Sequence, residues 1–567
     1  MNRRVIECVP NFSEGRDMNI INQITAVIEA SEGVRLLDVD PGEATNRTVV
    51  TFVGEVEAVV EAAFWAVKKA SELIDMRHHK GAHPRLGATD VLPLIPISGI
   101  TLEECGELAR QLAQRIADEL SIPTYCYEAA AFKAERRNLA VCRRGEYEAL
   151  PQRVTDQAEA PDFGARPFDE AMARTGAINV GARDFLIAVN FNLNTTSTRR
   201  ANAVAFDIRE KGRPMREGGS VVGKPLKDEA GNTIMIPGTL KACKAIGWYI
   251  EEYGIAQVSV NLTNIAVTPL HVAFDEVCRA ASARGLRVTG TEIVGLTPRR
   301  ALLEAGRHYL ALQQRSLGVS NEEIIRIAIK SMGLDDLKPF LPSEKIIEEL
   351  LESDLESSKR LIDMSCKGFA VETASESPAP GGGSISAYMG ALGAALSTMV
   401  ANLSSHKAGW DSRWSEFSAV AERGQAIMGE LLHLVDEDTA AFNAIMAVFA
   451  MPKSTDEEKR ARAAALEAAT LYATEVPLRT MRASLSAFEL AEAMASEGNP
   501  NSVSDAGVGA LALRSAVMGA ALNVRINAAG LKDRSVAQSL VAQAAEIVDK
   551  AQEAERRVLE IVDSKID

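Results

Sequence analysis

The chain has 567 residues, 47% hydrophobic and 25% charged, the balance of an ordinary folded protein with about three or four domains. Its formal net charge of -15 argues against nucleic acid as the main partner, since duplex binding needs a surplus of Lys and Arg, and leaves any anionic ligand dependent on a local basic pocket. The opening MNRRVIECVPNF has no apolar stretch of secretory length before Pro10, and the longest nearly uncharged apolar stretch, GALGAALSTMVANL from Gly390, is too short and too small in its side chains to span a bilayer. No membrane partner and a cytoplasmic location are therefore the expectations.

In chain order, strand patterns occupy residues 4–9, 34–39 and 47–53. Residues 55–74 carry Val56, Val59, Val60, Ala63, Val67 and Ala70 at helical spacing. Thr101 with Glu104 three residues on predicts a capping box, opening a helix through Leu108, Leu112 and Ile116 that leads into a strand at 123–127. A related order follows: a strand at 185–193, a helix at 198–210, a hairpin at 247–264 and a helix at 269–284. Between these, residues 212–238 are rich in Gly, Lys and Asp and predict a surface excursion or hairpin. After Pro339 and Pro342 the pattern turns to Ala-rich helices over 384–405, 414–450, 456–475, 478–496, 505–528 and 535–563, rich enough in Ala and Gly to predict close packing. The fold class is thus multidomain: two α+β subdomains, each a sheet covered by helices, over 1–183 and 184–345, then an all-α helical bundle over 346–567. The seven cysteines (Cys8, Cys105, Cys126, Cys142, Cys243, Cys278 and Cys366) are never spaced as CxxC and are expected to be buried free thiols.

Four stretches can carry chemistry. In HHKGAHPRLG, residues 78–87, Pro84 places the histidines on a loop. HHxxxH has no carboxylate at metal-ligand spacing, so a solvated basic turn competes with a general base whose flanking Lys80 and Arg85 attract a carboxylate. SPAPGGGS, residues 377–384, precedes a helix, and Gly381, Gly382, Gly383 and Ser384 let an anion approach free backbone N–H groups, unless the stretch is a linker. In LVDEDTAAF, a helical wheel puts Asp438 near the middle of the apolar stripe and turns Asp436 and Glu437 well away; a carboxyl there has its pKa raised by desolvation. In GNPNSVSDAGVGA, Ser504 reads as an N-cap and Asp505 as a first-turn acid, with a ligand contact as the second reading.

IECVPNFSEG, LLDVDPGEATNRTVVTFVG, HKGAHPRLGATDV, YCYEAAA, PDFG, AIGWYIEEYGIAQVSVNL, APGGGS, LVDEDTAAF and SDAGVGALAL, in this order, closely resemble the formimidoyltransferase-cyclodeaminase family. The resemblance covers essentially the whole chain. It implies that 1–183 and 184–345 form the transferase, two subdomains flanking a folate tunnel, and that 346–567 is a helical cyclodeaminase dimer. The implied reactions are transfer of the formimino group from N-formimino-L-glutamate to N5 of tetrahydrofolate, then closure of 5-formiminotetrahydrofolate to 5,10-methenyltetrahydrofolate with loss of ammonia. It also implies His83, of the HPR triplet, as transferase base and Asp438 as cyclodeaminase acid. Asn11, Arg47, Lys80 and Arg85 are implied as contacts for substrate carboxylates, and Asp162, Phe163 and Gly164 of PDFG as a folate-binding segment. His78 and His79 are left as polar loop residues.

The expected co-substrate is tetrahydrofolate, polyglutamylated, with no metal. Self-association is expected through both domains. SSHKAGW departs from the family pattern, which often has a glycine and paired basic residues there; Lys407 alone clearly preserves charge for a polyglutamate tail. A folate-binding scaffold with one decayed site, and a formyl rather than formimino transferase, are the alternatives.

Overall fold

The computed structural model describes residues 4–42, 46–81, 85–219, 223–354 and 360–566. The chain divides into two compact units: a sheet unit of residues 1–301 with 332–353, and a helical unit of residues 302–331 with 354–567.

In the sheet unit, β1 (Val5–Cys8), β2 (Asn11–Phe12), β3 (Val34–Gly42), β4 (Arg47–Glu55), β5 (Thr89–Ser98), β6 (Thr124–Glu128) and β7 (Ile178–Ala182) form one seven-stranded sheet. β1 and β2 both pair with β4 and β5, so they act as one strand interrupted at Val9–Pro10, where proline has no N–H to give a ladder. β3 flanks β4; β7 and then β6 extend the sheet beyond β5 in parallel register. Side chains alternate across a strand. Ile6, Cys8, Phe12, Val50, Phe52, Leu92 and Leu94 pack under helices Met18–Glu29, Val56–Leu73 and Leu102–Leu120. The capping box at Thr101 and Glu104 forms as expected. Two-residue alternation turns Glu7, Val9, Asn11, Arg47 and Thr51 to the opposite face, and that face carries the candidate site.

The second sheet holds β8 (Ile187–Leu193), β11 (Cys243–Ile250), β12 (Ile255–Leu262) and β13 (Val288–Val294) in the order β11-β12-β8-β13, antiparallel throughout. Between β8 and β11, the Gly-rich excursion is a small hairpin in which β9 (Arg213–Pro214) pairs with β10 (Met235–Ile236). Beside β1 and β8 lies a cavity of about 500 Å³ lined by Glu7, Asp38, Thr51, Arg183, Leu186 and Lys345 among others. Burial, opposed by the charge of Arg183, pushes the Glu7 carboxyl up to about 7.

The helical unit is built on helices Gly382–Ser405, Trp414–Phe449, Asp456–Glu497, Val503–Ala529 and Arg534–Ile566 around one core. Helix Gly382–Ser405 and the segment Pro500–Ala529, which contains helix Val503–Ala529, are long and apolar enough to cross a membrane by composition, but 61% and 44% of their most apolar windows are buried inside the protein. Small residues on the bundle helices allow the expected close packing: a Cβ on Gly393 would sit 2.8 Å from the Gly509 carbonyl oxygen, and one on Gly424 of helix Trp414–Phe449 would sit 2.0 Å from Thr398 Oγ1.

Three expectations are corrected. Residues 456–475 and 478–496 form one 42-residue helix running through Pro477. Proline leaves the carbonyl four residues back without its partner, and Asn527 Nδ2 donates to that carbonyl, Ala473 O, at 2.7 Å. The helix expected from 505 begins at Val503 with Ser502 at its N-cap, and Ser504 is an exposed first-turn residue. Cys366 is exposed and Cys278 half-buried, whereas the other five thiols are buried.

Candidate active sites

The sheet-unit site is assembled by three loops that meet at Asn46. The backbone there is left-handed, with φ of 47°, a region that asparagine tolerates better than most residues. Asn46 Oδ1 accepts from Gly15 N at 3.0 Å, and Nδ2 donates to Lys80 O at 3.0 Å, so one carboxamide joins the NFSEG loop to the histidine loop. Ser13 Oγ donates to Gly87 O at 2.7 Å, fastening the same two loops a second time. Gly15 has no alternative here, because a Cβ would lie 2.5 Å from Gly42 O and 2.6 Å from Arg47 N.

His79 is not a free polar loop residue. Its Nε2 donates to Asn46 O at 2.8 Å and its Nδ1 accepts from Arg85 Nε at 3.3 Å, an arrangement that requires the neutral ring. Burial, with the Arg85 charge, holds its pKa below the usual value against the opposing Asn46 bond. Arg85 in turn is gripped by both oxygens of Glu148, at 2.6 and 2.9 Å, and by Glu146 at 3.3 Å. A cation expected to hold a substrate carboxylate is therefore engaged inside the protein, clamping the loop.

Asn11 is buried on the open face of the sheet, with Nδ2 on Val9 O at 3.0 Å. Half-buried Arg47 has its pKa lowered by burial, with Asp90 acting against the shift and Arg143 adding to it. Asp90 is fully buried and paired with Arg143. The Lys80 side chain is exposed. His83, expected as the transferase base, lies outside the described residues, whose nearest members are Gly81 and Arg85.

PDFG stands elsewhere on this sheet, at the start of β6. Asp162 accepts from Cys126 N at 2.8 Å and pairs with Arg136 at 2.7 Å, both side chains almost wholly buried. Phe163 meets Phe132 edge to face, and Gly164 takes a φ of 70°. These contacts close the fold over the strand end.

In the helical unit, Asp438 projects from helix Trp414–Phe449 onto the amino end of helix Gly382–Ser405. Ser384 Oγ donates to its Oδ2 at 3.0 Å. Burial raises the Asp438 pKa, and the Ser384 hydroxyl and backbone bonds only partly oppose the rise. A Cβ on Gly383 would stand 2.1 Å from Asp438 Oδ1, so this glycine is what lets the carboxyl lie on the backbone. A pocket of about 130 Å³ opens beside them, completed by Phe442, Ile445, Asn523 and Asn527.

Asp436 and Glu437, expected to face away, are both engaged. Asp436 accepts from Leu361 N at 2.7 Å. Glu437 accepts from Arg479 at 2.6 Å and Tyr472 at 3.0 Å, and these partners hold its pKa low although burial works against them. Both contacts bring in neighbouring elements, which a wheel of one helix does not contain.

Gly381, Gly382, Gly383, Ser384 and Asp438 thus come together. Lys407, Ser504 and Asp505 do not join them. Lys407 follows the carboxyl end of helix Gly382–Ser405, its Nζ 4.8 Å over the Trp410 ring. Ser504 and Asp505 stand 18 or 19 positions before Asn523 on one helix, about 27 Å at its rise per residue. Asn523 and Asn527 escaped the sequence reading; their i, i+4 spacing on a helix was the available signal.

One unit therefore offers a loop-built face of amides and cations, and the other a buried carboxyl on a glycine-lined helix end: a chain with two chemically distinct sites. Residues 5–183 match the family described as "Formiminotransferase domain, N-terminal subdomain", 188–352 "Formiminotransferase domain" and 365–546 "Formiminotransferase-cyclodeaminase". The formimidoyltransferase-cyclodeaminase of Mus musculus is 41% identical over 530 residues, covering 94% of this chain and 93% of its own. That of Gallus gallus is 39% identical over 562 residues, 99% of each chain. The glutamate formimidoyltransferase of Streptococcus pyogenes serotype M1 is 39% identical over 310 residues, 55% of this chain and 94% of its own. The chain belongs to the formimidoyltransferase-cyclodeaminase family.

Proposed function

We infer that the two sites divide the family's two reactions between them. The chain is a bifunctional folate enzyme with transferase and cyclodeaminase activities. Its division into 1–183 and 184–345 for transfer and 346–567 for cyclisation is the proposed functional one. The two sheets are proposed as the α+β subdomains of the transferase and the long helices as the cyclodeaminase bundle.

In the first reaction, N5 of tetrahydrofolate attacks the amidine carbon of N-formimino-L-glutamate and loses a proton, and the departing glutamate nitrogen gains one. One imidazole near neutral pH can do both in turn, and His83 is proposed for it. Asn46, His79 and Arg85 fasten the loop on either side, while Asn11, Arg47 and Lys80 are proposed to receive substrate carboxylates. The 500 Å³ cavity, with Glu7 and Arg183 in its wall, is proposed to take part of the folate.

In the second, N10 attacks the formimino carbon and gives up its own proton, and ammonia leaves once the formimino nitrogen is protonated. Asp438 is proposed to deliver that proton. The observation that carries this reading is the Asp438 carboxyl, held partly desolvated on Gly383 and Ser384 beside a pocket. Asn523 supplies an amide to that pocket. A polyglutamylated co-substrate, chemistry without metal, self-association through both units and a cytoplasmic location complete the proposal.

The test is purified protein with tetrahydrofolate and formiminoglutamate, following the methenyl chromophore and ammonia together. Both should appear in equal amounts. No methenyl product from that mixture or from supplied 5-formiminotetrahydrofolate would overturn the reading in favour of a scaffold, and activity on formylglutamate alone would favour the formyl alternative.

A further inference from the structure

We propose that the helical unit carries a second binding site, remote from Asp438, for a carboxylate attached to an apolar or aromatic group. The carboxylate would sit between Arg315 and His406, and the apolar group against Val319, Met399, Leu403 and Met428.

These residues line a cavity of about 400 Å³, within the size range of small-molecule sites. It lies at the carboxyl end of helix Gly382–Ser405. From Ser384, beside Asp438, to Asn402 in its wall is about 27 Å along that helix. The catalytic pocket shares none of its residues.

The cationic end is built and held. Two amides, Asn402 Nδ2 at 2.8 Å and Gln425 Nε2 at 3.3 Å, donate to Gly318 O. Leu317 N donates to Ser418 Oγ at 2.9 Å, and a Cβ on Gly318 would lie 2.3 Å from Ala421 Cβ, so the turn after Arg315 is pressed onto the next helix. Glu323, close enough to feel the Arg315 charge, is taken by Arg326 at 2.6 and 2.7 Å. His406 lines the same cavity as Arg315, and burial, with the Arg315 charge adding to it, lowers its pKa. A carboxylate in that cavity can accept from the Arg315 guanidinium and from an imidazole N–H of His406.

The opposite wall wants an apolar group. Met399 and Leu403 remain 38% and 45% exposed on a helix whose other side is core, and methionine walls adapt to varied shapes. Aroyl amino acids join a ring to a carboxylate and match both ends. Such a group could belong to a free acyl amino acid or to the aminobenzoylglutamate part of a folate.

Titration calorimetry on the full-length protein with hippurate, and separately with p-aminobenzoylglutamate, tests the proposal. Saturable binding is expected, weakened about tenfold or more by Arg315→Ala, with both catalytic turnovers unchanged. Leu403→Trp, which crowds the mouth without touching the cations, should weaken binding too and guards against a folding defect in the first variant. The His83→Ala/Asp438→Ala protein should still bind. Tighter binding of p-aminobenzoylglutamate assigns the site to a folate-borne group; equal or tighter hippurate assigns it to free acyl amino acids. No binding of either probe up to about 10 mM, binding indifferent to Arg315→Ala and Leu403→Trp, or binding lost in the catalytic double variant would overturn it.

Discussion

In the sheet unit, the groups that meet around Asn46 are delivered by three loops and locked by side chain to backbone bonds. In the helical unit, Ser384, Asp438 and Asn523 stand on helices of 24, 36 and 27 residues, and glycine rather than hydrogen bonding sets how closely they approach. The difference bears on tolerance. A loop site can lose one tie and keep its others, whereas a carboxyl seated on a backbone has no room to yield to a single methyl group.

The sharpest way to break this contrast is Gly383→Ala. The new Cβ falls within 2.1 Å of Asp438 Oδ1, so the carboxyl must leave its place. Ring closure should fall by about a hundredfold while transfer continues unchanged, read from the two half-reactions assayed separately. Equal loss of both would end the idea of independent sites.

Glu7→Gln probes the cavity of the sheet unit. Burial lifts the Glu7 carboxyl from its ordinary 4.5 to about 7 in the folded state, so folding favours its protonated form. The stability this gives is full below pH 4.5 and is lost as pH rises through about 7, by about 3 kcal/mol in all. The glutamine variant, neutral throughout, should lack that decline, and melts at pH 5 and pH 8 should show a smaller difference than in the parent. An unchanged difference would mean Glu7 does not titrate there.

Asn46→Ala removes both amide ties at the loop junction. Transfer should drop about tenfold, with a stability loss of about 1–3 kcal/mol, and ring closure should not move. Denaturant unfolding together with the two assays separates these. Smaller still is Asn527→Leu, which leaves Ala473 O unpaired and should cost about 1–2 kcal/mol. Pro477→Ala in the same background restores an N–H for that carbonyl, so the double variant should be more stable than Asn527→Leu alone. Plain additivity of the two changes would contradict the pairing.

How far the sequence disclosed these sites depends on the same contrast. Asp438 was legible because a helical wheel needs only the residues of one helix, and the carboxyl is buried as its place in the apolar stripe requires. The same wheel turns Asp436 and Glu437 off that stripe but is silent on their partners, because Leu361, Arg479 and Tyr472 come from other elements. Pro477 was invisible as a continuing helix position because its compensation, Asn527, lies 50 residues away. Asn46 could not be singled out, since its role rests on a left-handed turn and on two loops distant in sequence. His79 was passed over because a histidine engaged through both nitrogens looks the same in sequence as one in solvent.

The central claim is that separate groups on one chain perform transfer and cyclisation. It is tested most directly by giving Asp438→Ala protein tetrahydrofolate and formiminoglutamate, and following 5-formiminotetrahydrofolate and ammonia. The account predicts that the formimino product accumulates at the parent initial rate with no ammonia, and that His83→Ala gives the mirror image: no transfer, but closure of supplied intermediate. Loss of both activities in the folded Asp438→Ala protein, or ammonia released at the parent rate, would contradict it.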